Sequence, residues 1–237
     1  MRIVIVGTGK MGTLIYHSAR ACGHEVVECV EKADAQAMRT LECDAIIDFS
    51  HPDNIKGVCT YSKEKHCILV CGTTALREED KEMLKETAKV CPVFYSANYS
   101  YGVALMTRLV KIMTPLLQDA FDMELIETHH YQKQDAPSGT AAMLLNAMDP
   151  DDAYDHVYQR KGFVGKRGKE IGIHSVRGGT AAGEHTVMYL GDDETLKLTH
   201  TATSRQIFVN GALRALAFME EKQPGFYTMN DLIGEIV

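Results

Sequence analysis

The stretch RIVIVGTGKMG, residues 2–12, is a short apolar run that ends in a glycine-rich turn. An apolar run bounded by glycine is typical of a buried strand, and residues 10–22 then have the apolar spacing of a helix. The turn fits the pattern G-x-G-x-x-G, in which glycines let the backbone and a helix N-terminus approach a pyrophosphate. Glu31 ends the next predicted strand, where a carboxylate can accept from ribose hydroxyls. These features predict a Rossmann-type dinucleotide site.

Strand-like and helix-like segments alternate through the rest of the first hundred residues. This alternation indicates βαβ units and therefore a parallel sheet. Pro52 opens one of the helices, at a position where proline is tolerated. Strands are predicted over 2–7, 24–31, 44–50, 67–74 and 92–100, and helices over 10–22, from Pro52 onward and over 76–90.

The pattern changes near Tyr101, where the second half begins. Its order of elements is typical of an α+β domain with a mixed or antiparallel sheet. The predicted fold class is therefore α/β, with an N-terminal Rossmann-type parallel sheet and a second α+β domain that carries the other sheet. The predicted elements are a helix over 103–117, a strand over 122–130, a helix after Pro137, a loop over 149–170, strands over 171–179, 183–191 and 194–202, and a helix over 206–220.

Composition narrows the class of protein. The chain has 237 residues, enough for one large domain or two modest ones, and a formal net charge of −7, which disfavours a general nucleic-acid binder. No apolar run is long enough to span a membrane, and the N-terminus does not resemble a signal peptide, so we expect a cytoplasmic protein. None of the seven cysteines forms a CxxC pair, which favours reduced buried thiols over a zinc site.

Two further segments, GTT (72–74) and SANYS (96–100), end predicted strands of the parallel sheet. Ligands bind at that edge of an open α/β sheet, so these small and hydroxylic residues suit the nicotinamide side. Lys32 follows Glu31 and could accept a 2′-phosphate, or it could be an ordinary surface lysine, so the sequence predicts NADH, NADPH or both. The predicted cofactor contacts are Gly7, Thr8, Gly9, Lys10, Met11, Gly12, Glu31, Gly72, Thr73, Thr74, Ser96, Ala97, Asn98 and Tyr99.

The segment ETHHYQKQDAPSGTA, residues 127–141, gathers groups that can move protons. If the strand continues, His129 and His130 point to opposite faces, and His129, Tyr131 and Lys133 share a side. An imidazole beside a lysine can exchange protons near neutral pH, and a lysine of depressed pKa could instead form a Schiff base. The two histidines diverge on a strand and no third ligand is evident, so we predict no metal site there.

The same segment then starts a helix at APSGTA. Ser138 or Thr140 can cap this helix, and the exposed N–H groups of Ser138, Gly139 and Thr140 can bind a carboxylate. A strand-end histidine or a Ser-Gly-Thr turn alone is more often structural. Together with Lys133 and a dinucleotide fold, they indicate a reductase that acts on a small anionic substrate.

At this point the sequence resembles a known family, 4-hydroxy-tetrahydrodipicolinate reductase (dihydrodipicolinate reductase), over essentially its whole length. The family's signature of paired histidines, a lysine and DAPSGTA matches residues 126–141, and IIDFSHP, GTT, SANYSYGV, SVRGG, GEHTVMY and LTHTATSRQIFVNGALRA match other family segments in order. The resemblance implies NAD(P)H-dependent reduction of 4-hydroxy-tetrahydrodipicolinate, with loss of water, in lysine and diaminopimelate biosynthesis. It also implies a homotetramer built through the substrate-domain sheets.

The resemblance also implies roles for individual residues. It gives His129 and Lys133 the proton chemistry, without deciding which is the immediate donor, and it gives His130, Gly139 and Thr140 substrate contacts. Arg205 is a possible second carboxylate partner. The implied domains are 1–100 plus 206–237 for the dinucleotide, and 101–205 for substrate binding and oligomerisation.

Two departures from the family pattern bear on the adenosine end of the cofactor. The glycine loop is one residue shorter than in many members, and the segment KADAQAMRTLEC is short. Two other functions stay open as alternatives. One is a dehydrogenase acting on aspartate or homoserine, which the HHYQK and DAPSGT segments disfavour. The other is an NAD-binding redox sensor, which would not need His129 and Lys133 beside a carboxylate site.

Overall fold

The computed structural model describes residues 1–34 and 38–234. The chain splits into two compact units, one of Met1–Tyr101 with Gln206–Val237 and one of Gly102–Arg205. The short segment KADAQAMRTLEC after the second strand extends into residues that lie outside the described ranges. Among the described residues, no helix is long and apolar enough to cross a lipid bilayer.

The first unit is an α/β structure, and its elements are numbered along the whole chain. Its strands are β1 (Arg2–Val6), β2 (Glu25–Val30), β3 (Ala45–Asp48), β4 (Ile68–Cys71), β5 (Pro92–Tyr95) and β11 (Gly225–Tyr227). Its helices are α1 (Lys10–Ala21), a 3-10 turn (Pro52–Asn54) that leads into α2 (Ile55–Lys65), then α3 (Glu78–Ala88), α6 (Gln206–Met219) and α7 (Met229–Ile233).

The six strands form one sheet in the order β11-β5-β4-β3-β1-β2, and each neighbouring pair is parallel. The predicted Rossmann-type parallel sheet is therefore confirmed. Strand order reverses between β1 and β3, which is the point where open α/β sheets bind ligands. The edge strand β11 was not predicted, because a three-residue GFY segment carries too little periodicity to identify a strand.

Burial explains why these segments form the sheet. Residues Ile3 to Val6 of β1 are fully buried, and all four residues of β3, all four of β4 and the centre of β5 are buried as well. Continuous apolar runs are what a parallel sheet covered on both faces requires. All seven cysteines are free thiols; five are buried, whereas Cys22 is exposed and Cys29 half-buried, so the expectation of burial was wrong for these two.

The second unit is built on a five-stranded mixed sheet, as the predicted fold class required. Its strand order is β10-β9-β6-β8-β7, and the central strand β6 pairs antiparallel with β9 and parallel with β8. These strands are β6 (Asp122–His129), β7 (Asp155–Val157), β8 (Glu170–Arg177), β9 (Gly183–Leu190) and β10 (Thr195–Ala202), and the helices are α4 (Tyr101–Leu117) and α5 (Gly139–Met148).

Strand β7 lies inside the segment predicted as a loop, residues 149–170, so that prediction was wrong for three residues. The sequence DHV has no alternation of its own, and it pairs only with the first residues of β8 at the sheet edge. Pairing with a neighbouring strand therefore decides the structure of this segment, and local propensity does not.

Candidate active site

The glycine turn of the first unit packs as tightly as the sequence pattern requires. Gly7 has φ of +110°, and a Cβ atom on Gly12 would lie 1.7 Å from the carbonyl oxygen of Gly7. The turn leads into α1, whose N-cap, Gly9, makes no side-chain capping bond and whose first turn has no acidic residue. The helix N-terminus is therefore available to an anion such as a pyrophosphate.

A cavity of about 730 Å³ lies beside this turn, within the first unit. Three exposed carboxylate residues, Glu31, Asp34 and Asp53, share its lining with Lys32 and His51. The lining thus brings Glu31 to the glycine turn, as predicted, in an environment with more acidic than basic side chains. The described residues that line it are Gly7, Thr8, Gly9, Glu31, Lys32, Ala33, Asp34, Phe49, Ser50, His51, Asp53 and Asn54.

A second cavity, of about 280 Å³, lies at the carboxyl ends of β4 and β5. It collects seven predicted cofactor residues and also Phe49, Ser50 and Phe208, which sequence reasoning missed. Position alone could have indicated Phe49 and Ser50, because they follow β3 at the point where the strand order reverses. The predicted residues in its lining are Met11, Gly72, Thr73, Thr74, Ala97, Asn98 and Tyr99.

Three predicted cofactor residues do not line either cavity. Lys10 is exposed at the start of α1, Gly12 is buried against Gly7, and Ser96 holds its own loop by bonding to the backbone of Asn98. The Tyr99 ring is 1% exposed and its hydroxyl donates to the carbonyl oxygen of Cys71 at 2.8 Å, so this ring belongs to the core.

A buried carboxyl group, Asp48, joins the loops after β3 and β4. It is fully buried and accepts hydrogen bonds from Ser50 Oγ, from Thr73 Oγ1 at 2.8 Å and from Cys71 Sγ. Ser50 N in turn donates to Thr73 Oγ1 at 2.9 Å. Burial raises the pKa of Asp48, and these hydrogen bonds offset the increase only in part.

In the second unit, the end of β6 carries the residues of the HH segment. Glu127 is fully buried, and its Oε2 is hydrogen-bonded to His129 Nδ1. The strand pairing completes the group, because Glu127 lies opposite His185 of β9, and His129 is paired with Arg177 of β8. All four side chains lie on one face of the sheet, since residues two apart on a strand point the same way.

Arg177 and the start of α5 donate the remaining hydrogen bonds to the buried carboxylate of Glu127. Arg177 donates to both oxygens of Glu127, at 2.7 and 3.0 Å, and to the carbonyl oxygen of Asp135. The N–H of Ser138 donates to Glu127 Oε1 at 3.3 Å. Glu127 therefore connects the imidazole of His129 to the N-terminus of α5.

Ser138 is used internally. Its hydroxyl caps α5 by accepting from the N–H of Ala141 at 3.1 Å, and it lies 2.9 Å from His185 Nε2. The side chain is buried, whereas Gly139 is exposed and has open space around its Cα. The helix start thus presents Gly139 outward, with the half-buried Thr140 next to it, while Ser138 holds the turn in place.

Lys133 lies in a turn, so the expectation that it alternates with His129 on one strand was wrong. β6 ends at His129, and Lys133 N donates to the carbonyl oxygen of His130 at 3.1 Å. Its ammonium group pairs with both oxygens of Asp135, at 2.7 and 2.9 Å, and its side chain is 20% exposed. The turn nevertheless brings Lys133 close enough to contribute to lowering the pKa of His129.

His130 directly follows the last residue of β6. Its backbone N–H donates to the carbonyl oxygen of Ala181 at 2.9 Å. Its Nδ1 is buried and finds no hydrogen-bond partner within the described part of the chain. Arg205, the possible second carboxylate partner, is exposed.

Burial sets the protonation states of the two histidines. Burial lowers the pKa of His129; Glu127 opposes this, and Lys133 and Arg177 add to it. Burial and the neighbouring His129 lower the pKa of His185 to about 4. Burial would raise the pKa of Glu127, but hydrogen bonds from Arg177, Ser175 and His129 hold it below its usual value. At neutral pH the group therefore holds a carboxylate and neutral imidazoles.

The fold also brings together ligand-type atoms that the sequence did not connect. Glu127, His129 and His185 each place such an atom within 4.8 Å of the others, one of two such groups in ranges 1–34 and 38–234. Hydrogen bonds between Glu127 and His129, and between Ser138 and His185, already hold this group together. We therefore assign no metal ion to it. No local sequence pattern indicated His185 or Arg177, although they lie in the matched segments GEHTVMY and SVRGG.

Comparison with known proteins accounts for the whole chain. The family model described as Dihydrodipicolinate reductase, N-terminus matches residues 1–99, and Dihydrodipicolinate reductase, C-terminus matches residues 102–233. A Clostridium tetani protein named 4-hydroxy-tetrahydrodipicolinate reductase is 37% identical, over 98% of this chain and 97% of its own length. A Staphylococcus epidermidis protein of the same name is 40% identical, over 98% of this chain and 100% of its own length.

A solved structure supports the fold independently. The dipicolinate-bound dihydrodipicolinate reductase from Paenisporosarcina sp. TG-14 superposes with a TM-score of 0.81 at 21% identity, covering 96% of this chain and 97% of that one. Because both family models match and the curated relatives align over nearly their full length, this chain is an oxidoreductase that belongs to the dihydrodipicolinate reductase family.

Proposed function

We propose that this protein reduces 4-hydroxy-tetrahydrodipicolinate to tetrahydrodipicolinate in lysine and diaminopimelate biosynthesis. The reaction consumes the substrate, one NAD(P)H and one proton, and it releases tetrahydrodipicolinate, NAD(P)⁺ and water. The observation that carries this proposal is the pairing of His129 with buried Glu127, beside Lys133 and an outward-facing helix start, in a chain that also has a dinucleotide turn. This combination suits proton transfer to a small anionic substrate.

The first unit supplies the nucleotide site, so residues 1–100 with 206–237 are the proposed dinucleotide-binding domain. The glycine turn holds the pyrophosphate against α1, and Glu31 accepts from the ribose. The cavity lined by Gly72–Thr74 and by Ala97–Tyr99 takes the nicotinamide side. A bound pyridine nucleotide supplies the hydride for C4 of the substrate ring.

Charge in the adenosine cavity favours NADH over NADPH. Glu31, Asp34 and Asp53 would repel a 2′-phosphate, and only Lys32 and His51 offset them in the lining. A ribose that carries two hydroxyls can instead donate to Glu31. We therefore propose that both nucleotides bind and that NADH is preferred.

The second unit, residues 101–205, supplies the proposed substrate and oligomerisation domain. The backbone N–H groups of Gly139 and Thr140 hold one substrate carboxylate, with help from His130, and Arg205 is a candidate for the other. Lys133 or His129 gives a proton to the ring atom that becomes negatively charged as hydride arrives. Ser138, predicted as a contact, fixes the helix start from inside.

A homotetramer and a cytoplasmic location, both expected from the sequence, complete the proposal. Sedimentation of the purified protein tests the first of these. An NAD-binding redox sensor would use the same nucleotide site, but it would not need the arrangement of groups around His129. We therefore favour the reductase.

The test couples this protein to the synthase that condenses aspartate semialdehyde with pyruvate. NADH absorbance, and NADPH absorbance in a parallel cuvette, is followed with and without the synthase. Loss of signal only when the synthase is present supports the reductase. Binding of both nucleotides with no synthase-dependent loss would contradict it and favour the sensor.

A further inference from the structure

We infer that Glu127 is a positioning residue for His129: it fixes the tautomer of the imidazole, so that Nε2 is the atom that exchanges a proton with the substrate. This inference rests on the proposed function, because it gives a role to a residue beside the proposed catalytic group. Neither the sequence pattern nor the family match singles out this carboxylate.

The hydrogen bond between Glu127 and His129 determines which nitrogen of the imidazole carries the proton. Glu127 Oε2 contacts His129 Nδ1, and an ionised carboxylate can only accept hydrogen bonds. Nδ1 must therefore carry a proton, and in the neutral imidazole Nε2 then carries the lone pair. A proton given to the substrate from the imidazolium leaves from Nε2, and a proton from water restores it there, while Glu127 stays ionised.

Hydrogen bonds from the surrounding residues keep Glu127 ionised inside the protein. Arg177 contacts both of its oxygens, and Ser138 N donates to Oε1. Hydrogen bonds from Arg177, Ser175 and His129 hold the pKa of Glu127 below its usual value despite complete burial. The carboxylate thus remains charged through the pH range in which an imidazole works.

Glu127 also links His129 to the start of α5, where the substrate carboxylate is proposed to bind. The bond from Ser138 N means that one carboxylate contacts both the imidazole and the start of α5. Gly139 and Thr140 follow directly on that helix, so Glu127 also sets the spacing between the proton-transferring atom and the proposed carboxylate site. An error of about 1 Å in such spacing can reduce the rate on the order of 10²-fold.

A purely structural ion pair is the competing explanation, and the chain contains one for comparison. Glu124, also on β6, is 9% exposed and contacts Arg160, Arg167 and His174. It lies three positions before Glu127 on the strand, so it faces the other side of the sheet. Glu124 is therefore a glutamate on the same strand with similar burial and ionic partners but no contact to His129, and it is the matched control.

The test substitutes Glu127 by Gln. Both carboxylate oxygens face Arg177, so the new amide meets a donor in either orientation. If the NH₂ group takes the position of Oε1, it faces two donors, Arg177 and Ser138 N. If it takes the position of Oε2, it faces only one donor, Arg177, and it can donate a hydrogen bond to His129 Nδ1. Glu127→Gln should therefore switch His129 to the Nε2–H tautomer.

Three readouts separate positioning from stability. Nitrogen-15 NMR of histidine-labelled protein should show His129 as Nδ1–H in the wild type and as Nε2–H in Glu127→Gln. The kcat of Glu127→Gln should fall on the order of 10²-fold or more. The limb of the pH–rate profile that belongs to His129 should move to lower pH, because a charge that favours the imidazolium is gone; Lys133, Arg177 and the neutral His185, the other groups facing this ring, are unchanged.

Glu124→Gln should lower the thermal midpoint but keep the wild-type tautomer of His129 and a kcat within about twofold of the wild type. An unchanged tautomer and kcat in a folded Glu127→Gln protein would overturn the inference. So would an Nε2–H tautomer in the wild type, and that measurement holds even if the variant does not fold. Because the tautomer is read without turnover, failure of the reductase assay would not be mistaken for failure of this inference.

Discussion

Gly183 leaves open the edge of the His129 ring that carries Nε2: a Cβ atom at this position would lie 2.9 Å from Nε2. Gly183 also has φ of +153°, which side-chain-bearing residues rarely adopt. We expect Gly183→Ala to place a methyl group where the substrate must approach, and to lower kcat/KM on the order of 10²-fold.

The control for this variant is Gly178→Ala. Gly178 N donates to the carbonyl oxygen of His129, but its own Cα faces open space. Steady-state kinetics, with thermal midpoints for both variants, makes the comparison. Wild-type kcat/KM in Gly183→Ala would contradict an approach to Nε2 from this side.

Lys133 is expected to act on the rate more than on binding. Its side chain is 20% exposed and its ammonium group pairs with Asp135. The proposed contacts to the substrate carboxylates do not involve this lysine, so they remain when it is replaced. Lys133→Met should lower kcat by about 10²- to 10³-fold and raise KM much less. Lys161→Met, which removes an exposed lysine, should behave as the wild type. An unchanged kcat in Lys133→Met would exclude the lysine from catalysis.

Cofactor choice should depend on Glu31. The wild type is expected to have a higher kcat/KM with NADH than with NADPH, since the adenosine cavity is acidic. Glu31→Gln should reduce this ratio by about tenfold, because it weakens the ribose contact and removes a charge that repels the phosphate. Glu28→Gln changes an exposed glutamate of β2, three positions before Glu31 and outside the cavity. An equal change of the ratio in both variants would mean that only long-range charge matters.

The second unit should lose stability as the pH falls from 7 to 5. The pKa of His185 is lowered to about 4 in the folded protein, so in this interval the unfolded chain binds a proton that the folded chain does not. The free energy of unfolding should fall by about 2 kcal/mol over the interval for this residue alone. His129 and His200, whose pKa values are also lowered, act in the same direction.

Denaturant unfolding at several pH values, followed by a probe in the second unit, measures this slope. His185→Gln keeps an acceptor for Ser138 and removes the titration, so its slope should be shallower. Glu127 does not contribute to the slope between pH 7 and pH 5. Because its pKa is lowered in the folded protein, the stability that it provides is lost only at lower pH. A slope that is identical in the variant would show that His185 is not responsible.

Asp48 should matter for the first unit and for nucleotide binding. Asp48→Ala leaves Ser50, Thr73 and Cys71 without their acceptor, which should cost about 2–4 kcal/mol of unfolding free energy. NADH should also bind more weakly, because two cavity loops lose their link. Asp44, at the other end of the same strand, pairs with Arg2 at the surface, and Asp44→Ala should cost less than about 1 kcal/mol. Calorimetric titration with NADH compares the two variants.

The sequence by itself determined the elements whose signals are local. The β1–turn–α1 unit followed from glycine spacing and apolar periodicity, and the start of α5 followed from Pro137 and Ser138. The parallel character of the first sheet followed from strict alternation of strands and helices. Each of these depends on residues that lie within a few positions of one another, so the pattern is legible in the chain.

Only the tertiary structure decided what surrounds His129. Glu127 and His129 are neighbours in sequence, but Arg177 and His185 reach them through the pairing of β6 with β8 and β9, about fifty residues further along the chain. The alternation rule failed for Lys133 because the strand stops at His129 and a turn takes its place. Burial over the whole sheet determines strand pairing and register, so a local sequence pattern does not predict them.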